Sequence, residues 1–351
     1  MSDVARRAGV STATVSRALR GMPGVSAETR ERIAKIADEL AYVVSPEASR
    51  LAGGATRRVA VVVPAISRWF YATMLAGIEA VLREADLDVL IYHVEGASDR
   101  ERFFDRLPAR RKVDAVILIA LPVTDPQRRR LDLMGVTVVV AGGKIADYPN
   151  VQIDDEQAAR QAAGHLIAVG HRRIGLITTS DSEDQVWTSE VLRKGGYEDA
   201  LRRAGIPLSP ELMVTVRWGL DGGARGMDQL LSLPNPPTAV FAHSDEVAMG
   251  ALRTLRRASL AVPDRMSIVG IDDHPMADLN DLTTVHQSVE VQGAIAGQLV
   301  LDLVSGRTPR RMHVTVPTYL VVRGSTAAPA VSLTSQAPPA AEAAQAAGSK
   351  K

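Results

Sequence analysis

The residues from Asp3 to Leu19 are the set in this chain whose types and spacing imply a definite chemistry, namely contact with DNA. Asp3-Val-Ala-Arg-Arg-Ala-Gly-Val-Ser-Thr-Ala-Thr-Val-Ser-Arg-Ala-Leu reads as two short helices about Gly9. Val4, Ala5, Ala8, Val10, Val15 and Leu19 supply a compact apolar face, and Ser11 can cap the second helix by accepting an orphan backbone N–H. Thr12, Ala13, Ser16, Arg17 and Arg20 are left facing outward. Small outward residues let a helix approach base edges, and arginines and hydroxyls supply guanine and phosphate contacts. The Arg17 fork fits guanine O6 and N7 together, worth roughly 1–3 kcal/mol of discrimination, while Thr12 and Ala13 suit a thymine methyl. Ser11, Thr14, Ser16 and Arg20 suit phosphate. The pattern is a helix-turn-helix with Ser11–Leu19 as recognition helix.

Other chemistries find little support. His93, His165, His171, His243, His274, His286 and His313 show no metal spacing and read as surface or structural residues. The absence of cysteine excludes disulfides and thiolate metal sites. No nucleophile–base–acid set stands out. A dinucleotide enzyme would want a glycine-rich turn after its first core strand, whereas Val63 leads into Pro-Ala-Ile-Ser-Arg-Trp-Phe. No catalytic residue, metal or cofactor is therefore expected. No apolar run approaches the ~18 residues of a membrane span, and no signal peptide precedes Ser2, so a cytoplasmic location and no membrane partner are expected.

Stepping outward, these helices need a core and a partner domain. At 351 residues the chain exceeds what one core usually serves. Net charge is only +1, yet through Arg58 there are ten Lys and Arg against six Asp and Glu. That local basic excess is the electrostatic footprint of phosphate contact. A third helix is expected from Ser26 to Leu40, with Ile33, Ile36, Ala37 and Leu40 closing the small core. A short helix from Ser45-Pro46 to Gly53-Gly54 would be marginal alone. Strands are then expected at Val59–Val63, Val89–Tyr92, Ala115–Ile119, Thr137–Ala141, Ile174–Ile177, Ala239–Ala242, Ser267–Ile271 and Leu320–Val322. Helices are expected at Tyr71–Ala85, Glu156–Val169, Glu190–Ala204, Ala224–Leu233, Glu246–Ala258 and Val291–Val304. Nearly continuous β-branched runs between amphipathic helices argue for two α/β units with parallel sheets buried on both faces. Beyond Thr326 the composition collapses to Ala, Pro, Ser, Gln and Gly, which predicts a disordered tail over 327–351.

With these stretches on the page, the chain resembles the LacI-type bacterial transcription regulators from about Met1 to Thr326. The matching segments are Asp3–Leu19, Val25 to Tyr42, Ser45–Leu51, Asp245–Ala251, Val269–Asp273, Leu282–Gln287 and Leu320–Thr326. The resemblance implies an all-α helix-turn-helix module (1–44), a hinge helix and linker (45–56), and a two-lobed, periplasmic-binding-protein-like type I core (57–326). The N-lobe would span about 57–153 and 289–316, and the C-lobe about 154–287 and 318–326, with crossings near Ile153, Ser288 and Pro317. Family members usually begin with a Thr that caps the first helix; here Met1 falls after that position. The missing cap, worth on the order of 1 kcal/mol, predicts a weaker first helix or a start further upstream.

The resemblance also assigns residues. It places Thr12, Ala13 and Arg17 at base-reading positions and Leu51 at the hinge leucine that wedges into the minor groove, with Ala48 small enough for two hinge helices to pack closely. It implies a homodimer on a pseudo-palindromic operator, the tail lacking the leucine heptad of the family's tetramers. In the cleft it matches Arg193 and Asp272 to effector-binding positions, with an arginine opposing an aspartate able to grip adjacent hydroxyls. Trp69, Phe70 and Tyr71, Trp218, Ser244, Asp245 and Gln287 complete the expected set. Ser244 stands where many relatives have an amide, and Gly142-Gly143 where several sugar binders have an acid. The function implied is a repressor released by a small sugar-like effector, with a corepressor-dependent regulator responding to a purine or other metabolite as the alternative. A sugar-binding transport protein would share the core but has no use for residues 1–56.

Overall fold

The computed structural model describes residues 1–19, 21–40, 55–109, 112–180 and 187–330. Arg20, Ala48, Leu51, the expected hinge helix and the tail beyond 330 lie outside the described residues.

Three helices build the N-terminal module: α1 (Ser2–Ala8), α2 (Thr12–Leu19) and α3 (Ala27–Glu39). Helix α1 stops at Gly9, whose left-handed φ of 65° lets its N–H turn back to the carbonyls of Ala5 and Arg6. Ser11 Oγ accepts the Thr14 N–H at 3.1 Å, and Ser26 Oγ accepts that of Thr29 at 3.2 Å, so α2 and α3 both begin on a serine cap. No side chain caps α1 at Met1. Val4, Ala5, Ala8, Val15, Ala18, Ile33 and Ala37 form the core, with Val10, Leu19 and Ile36 packed against it. Leu40 does not join them; it follows the last turn of α3 and is exposed.

The remaining chain forms two six-stranded sheets. The first, the N-lobe sheet, holds β1 (Arg58–Val63), β2 (Asp88–His93), β3 (Ala115–Ile119), β4 (Thr137–Ala141), β5 (Asn150–Gln152) and β11 (His313–Thr315). Its order is β11-β5-β4-β3-β1-β2, and every pairing is parallel. The C-lobe sheet, in order β12-β10-β9-β8-β6-β7, contains β6 (Ile174–Ser180), β7 (Met213–Arg217), β8 (Ala239–Ala242), β9 (Ser267–Asp272), β10 (Thr283–His286) and β12 (Tyr319–Val321). All its pairings are parallel except that of β10 with β12. The chain passes between sheets after β5, after β10 and between β11 and β12. Val59 to Val63 and Ala115 to Ile119 are buried throughout, as central strands covered on both faces must be.

Nine helices flank the sheets: α4 (Trp69–Glu84), α5 (Gly96–Arg106), α6 (Asp125–Asp132), α7 (Asp155–Ala168), α8 (Thr188–Arg203), α9 (Leu220–Leu231), α10 (Asp245–Arg257), α11 (Pro275–Leu279) and α12 (Val289–Val304). Helix α9 begins four residues before the sequence-based expectation. Its Gly222-Gly223 pair looks like a breaker, but the glycines serve contact: a Cβ at Gly223 would collide with the Val247 carbonyl of α10. The tail also begins later than its composition suggests. The Ala327 carbonyl accepts from His171 Nε2 at 2.9 Å and from Ser267 Oγ at 3.1 Å, so residues 327–330 continue along the C-lobe.

Candidate functional site

On α2 the outward face is Thr12, Ala13 and Arg17, all exposed, with Ser16 half-buried beside them. Val15 and Ala18 turn inward, so burial and display divide the helix as its spacing requires. Ser11 and Thr14 do not offer free hydroxyls: Ser11 caps α2, and the two oxygens share a hydrogen bond at 2.9 Å. They can meet phosphate only while holding that cap.

The other candidate is a cleft between the lobes. Both sheets contain a point where the chain reverses its direction of strand addition, between β1 and β3 and between β6 and β8, and ligands bind outside the carboxyl ends of strands at such points. The N-lobe contributes Arg68, Phe70 and Tyr71 after β1, Ala120 after β3, Gly142 after β4 and Ile153 after β5. The C-lobe contributes Ser180, Trp218, His243, Asp272 and Gln287 at or just past the ends of β6, β7, β8, β9 and β10. Helices α7 and α8 add Asp155, Glu190 and Arg193, and α12 adds Gln292. The cleft holds about 700 Å³ of atom-free space, counting its open mouth.

Arg193 anchors the polar wall. Its Nε–H donates to Asp155 Oδ1 at 2.8 Å and an Nη–H donates to the His243 carbonyl at 2.7 Å. Asp155 rather than Asp272 is therefore its direct partner. Asp272 Oδ1 accepts instead from Gln287 Nε2 at 2.6 Å. Burial pushes the Asp272 carboxyl up to about 8, against the pull of Arg193. Burial also raises Asp155 and Glu190, which Arg193 partly offsets. The backbone at Asp272 has φ 137° and at Asp273 φ 56°, conformations an L-residue adopts at some cost; strain of this kind gathers at functional sites.

Three expected effector residues are elsewhere. Ser244 is fully buried and caps α10 by accepting the Val247 N–H at 3.4 Å. Asp245, also fully buried, accepts from Thr284 Oγ1 at 2.7 Å and from the His274 N–H at 2.9 Å, tying α10 to the strands beside it. A serine followed by Asp245-Glu246 is the ordinary signature of a helix start, and that signal outweighs the ligand role. Trp69 opens α4 rather than a loop, and its ring lies on His274 of the other lobe at 5.0 Å between centroids. Phe70, Tyr71, Arg193, Trp218, Asp272 and Gln287 do line the cleft. Trp218 donates to Glu246 Oε2 at 2.9 Å, presents its face to Arg68 and meets His243 edge-on.

Sequence reasoning missed Asp155, Glu190, His243 and Gln292. Glu190 stands three residues before Arg193, one helical turn away on the same face, and Asp155 is the acid left over once Asp154 caps α7. Those signals were readable. His243 is buried rather than superficial and joins the cleft wall; nothing in its local sequence marks it. Among the described residues no group of three or more His, Asp or Glu is placed to hold a metal ion, and no helix is long and apolar enough to cross a membrane.

Comparison with known proteins agrees with this geometry. Residues 1–45 match the bacterial regulatory proteins of the lacI family, and residues 163–326 match a periplasmic binding protein-like domain. The HTH-type transcriptional repressor CytR of Escherichia coli (strain K12) is 34% identical over 332 residues, covering 93% of this chain and 96% of the relative. The HTH-type transcriptional regulator CelR of Thermobifida fusca is 34% identical over 334 residues, covering 92% and 96%. A structure of the transcriptional regulator CelR–cellobiose complex superposes with TM-score 0.69 at 33% identity, over 92% of this chain and 98% of that one. The lac repressor dimer bound to operator and the anti-inducer ONPF superposes with TM-score 0.81 at 26% identity, over 93% and 98%. This chain is thus a member of the lacI family of bacterial regulatory proteins.

Proposed function

We propose that this protein is a cytoplasmic repressor that binds a pseudo-palindromic operator as a homodimer and is released by a small sugar-like effector held between its lobes. The observation that carries the reading is the cleft, where two sets of strand ends converge on the buried Arg193–Asp155 pair in a chain that also bears a recognition helix. The cellobiose in the CelR structure and the operator in the lac repressor structure support it. In this reading residues 1–44 read DNA through Thr12, Ala13 and Arg17, and 45–56 form a hinge whose Leu51 enters the minor groove beside Ala48. Exposed Ile91, Leu220, Met276 and Leu279 offer apolar surface for self-association.

A ligand shifts the lobes only if it binds one arrangement better than the other. Contacts across the mouth supply that difference: Arg68 of the N-lobe over Trp218, and Trp69 against His274. Closure around effector would move the N-lobes at the dimer interface and loosen the marginal hinge helices. Operator binding by fluorescence anisotropy at fixed salt, with operator selected from random DNA, tests the scheme. One compound should weaken binding of the parent chain, Arg193→Ala should ignore it, and Leu51→Ala should bind operator weakly. A compound that tightens binding would instead make the protein corepressor-dependent. Binding without sequence preference would overturn the reading.

A further inference from the structure

Two buried side-chain atoms that face the cleft have no hydrogen-bond partner, and both are acceptors. The first is His243 Nδ1. The other ring nitrogen, Nε2, lies 3.3 Å from Glu190 Oε1, and Glu190 is itself held by the hydroxyls of Thr179 at 2.8 Å and Ser189 at 2.9 Å. A carboxylate beside Nε2 favours the tautomer with its proton there, so Nδ1 carries the lone pair. Burial, and then the Arg193 charge, keep this imidazole neutral. The second atom is Gln292 Oε1. Gln292 Nε2–H donates to Gln287 Oε1 at 3.2 Å, and Gln287 Nε2–H donates to Asp272 Oδ1 at 2.6 Å. The carboxylate at the end of this relay orients both amides and leaves the Gln292 oxygen outermost.

The charges around these atoms have the same bias. Asp155, Glu190 and Asp272 line the cleft. Against them stand Arg193, engaged by Asp155 and the His243 carbonyl, and Arg68, laid over Trp218. We infer that the cleft takes an uncharged polyhydroxylated ligand that donates hydrogen bonds to His243 Nδ1 and to Gln292 Oε1, and that it rejects phosphate esters and sugar acids. The inference rests on the cleft being the effector site. An O–H donor satisfies each orphan lone pair, whereas a phosphate or carboxylate brings more acceptors and its own charge toward three carboxyl groups. His243 ends β8 of the C-lobe and Gln292 belongs to α12, which packs on α4 of the N-lobe, so one ligand donating to both spans the lobes. His243 and Gln292 thereby act as specificity determinants.

All three tryptophans stand in or beside this cleft, so their fluorescence reports occupancy directly. The purified full chain is titrated with a bacterial small-molecule extract separated by ion exchange into neutral, anionic and cationic fractions, with thermal shift as second readout. Matched pairs follow: ribose and ribose phosphate, cellobiose and cellobiose phosphate, adenosine and adenosine monophosphate. The neutral fraction should shift both signals, and any sugar or nucleoside that binds should lose at least tenfold in affinity on phosphorylation. Histidine 243 is tested as His243→Phe, which keeps a ring but removes the acceptor. It should melt no lower than the parent without ligand and bind the neutral fraction at least tenfold more weakly; Gln292→Met should weaken binding likewise. A response confined to the anionic or cationic fraction overturns this inference and leaves the cleft as the effector site. No response to any fraction overturns the effector-cleft reading and this inference with it. Unchanged binding by folded His243→Phe and Gln292→Met overturns their role.

Discussion

The two lobes share a strand order about their first strands, yet they present opposite surfaces to the cleft. The N-lobe wall is largely Phe70, Tyr71, Ala120, Gly142 and Ile153, while the C-lobe wall is Asp155, Glu190, Arg193, His243, Asp272 and Gln287 with Trp218 among them. Apolar contact is nondirectional and scales with area, whereas hydrogen bonds and charges fix orientation. The contrast teaches a division of labour: the C-lobe selects and orients the ligand, and the N-lobe closes over it and gains area. Gln292, an N-lobe residue reaching into the polar side, marks where the two roles meet.

Removing Arg193 should break the polar wall most severely. The pair with Asp155 is mostly buried, with 8% and 12% of the two side chains exposed. Arg193→Ala leaves a buried carboxylate and the His243 carbonyl without their donor. Truncating one partner of such a pair costs roughly 3–5 kcal/mol, which denaturant unfolding will measure as a lowered midpoint. Calorimetric titration should then find effector binding lost. An equally stable Arg193→Ala protein would mean the pair does little for the C-lobe.

The same asymmetry has a pH signature. The raised carboxyls, Asp155, Glu190, Asp245 and Asp272, all belong to the C-lobe. Burial lifts Asp245 to about 7 and Asp272 to about 8 from an ordinary value of 3.8, so the folded chain holds protons that the unfolded chain has released. Their stabilising contribution is complete below the unfolded value and is lost as pH rises through about 7 and about 8. Buried neutral His243, His165 and His171 act oppositely, but only below about pH 6.5, where unfolded histidine gains its proton. Stability should therefore fall from about pH 6.5 to 8, by no more than about 1.4 kcal/mol per pH unit for each group. Asp245→Asn, which can still bond the Thr284 hydroxyl, should flatten part of that slope in thermal melts taken across this range. A slope unchanged in Asp245→Asn would place the proton release elsewhere.

How much of this was legible in the sequence follows the same physics. Central strands such as Val59–Val63 and Ala115–Ile119 are buried on both faces, and their apolar runs announce them. The strands Asn150–Gln152, Met213–Arg217, Thr283–His286 and His313–Thr315 were not foreseen, being short and mixed in polarity. The Gly96–Arg106 and Asp125–Asp132 helices hid for a related reason: they carry mostly charged residues and hold on through Phe103 and Phe104 or Leu131. In the cleft, Arg193, Asp272 and Gln287 could be named from matched positions. Their partners could not, because Asp155, His243 and Gln292 meet only when three distant segments converge.

Opening the apolar wall should cost less than opening the polar one. Phe70 lies against Gly142, packed so closely that a Cβ at that glycine would stand 3.0 Å from its ring, and edge-on to Tyr71 at 5.3 Å. Phe70→Ala removes an aromatic face worth about 1–2 kcal/mol to a stacked ligand, so effector should bind about tenfold more weakly in calorimetric titration. Operator affinity without effector should stay unchanged, since the helix-turn-helix is untouched. If Phe70→Ala abolished effector recognition as Arg193→Ala does, the two walls would not differ in kind.

Ser244 gives the smallest effect and the sharpest discrimination. Its position suggests ligand contact, yet its hydroxyl caps α10 and is buried beneath the cleft wall. Ser244→Ala should cost about 1 kcal/mol of stability through the lost cap, read as a modest drop in the unfolding midpoint. Effector affinity should barely move, because neither the Arg193–Asp155 pair nor the His243 ring depends on that hydroxyl. The residue is adjacent to His243 in sequence, so a local disturbance of α10 would be felt by both; comparison with Ser244→Asp, which restores a capping acceptor, separates the two roles. Recovery of stability in Ser244→Asp with effector binding intact throughout would fix Ser244 as scaffold. A selective loss of effector binding in a fully stable Ser244→Ala would return it to the polar wall.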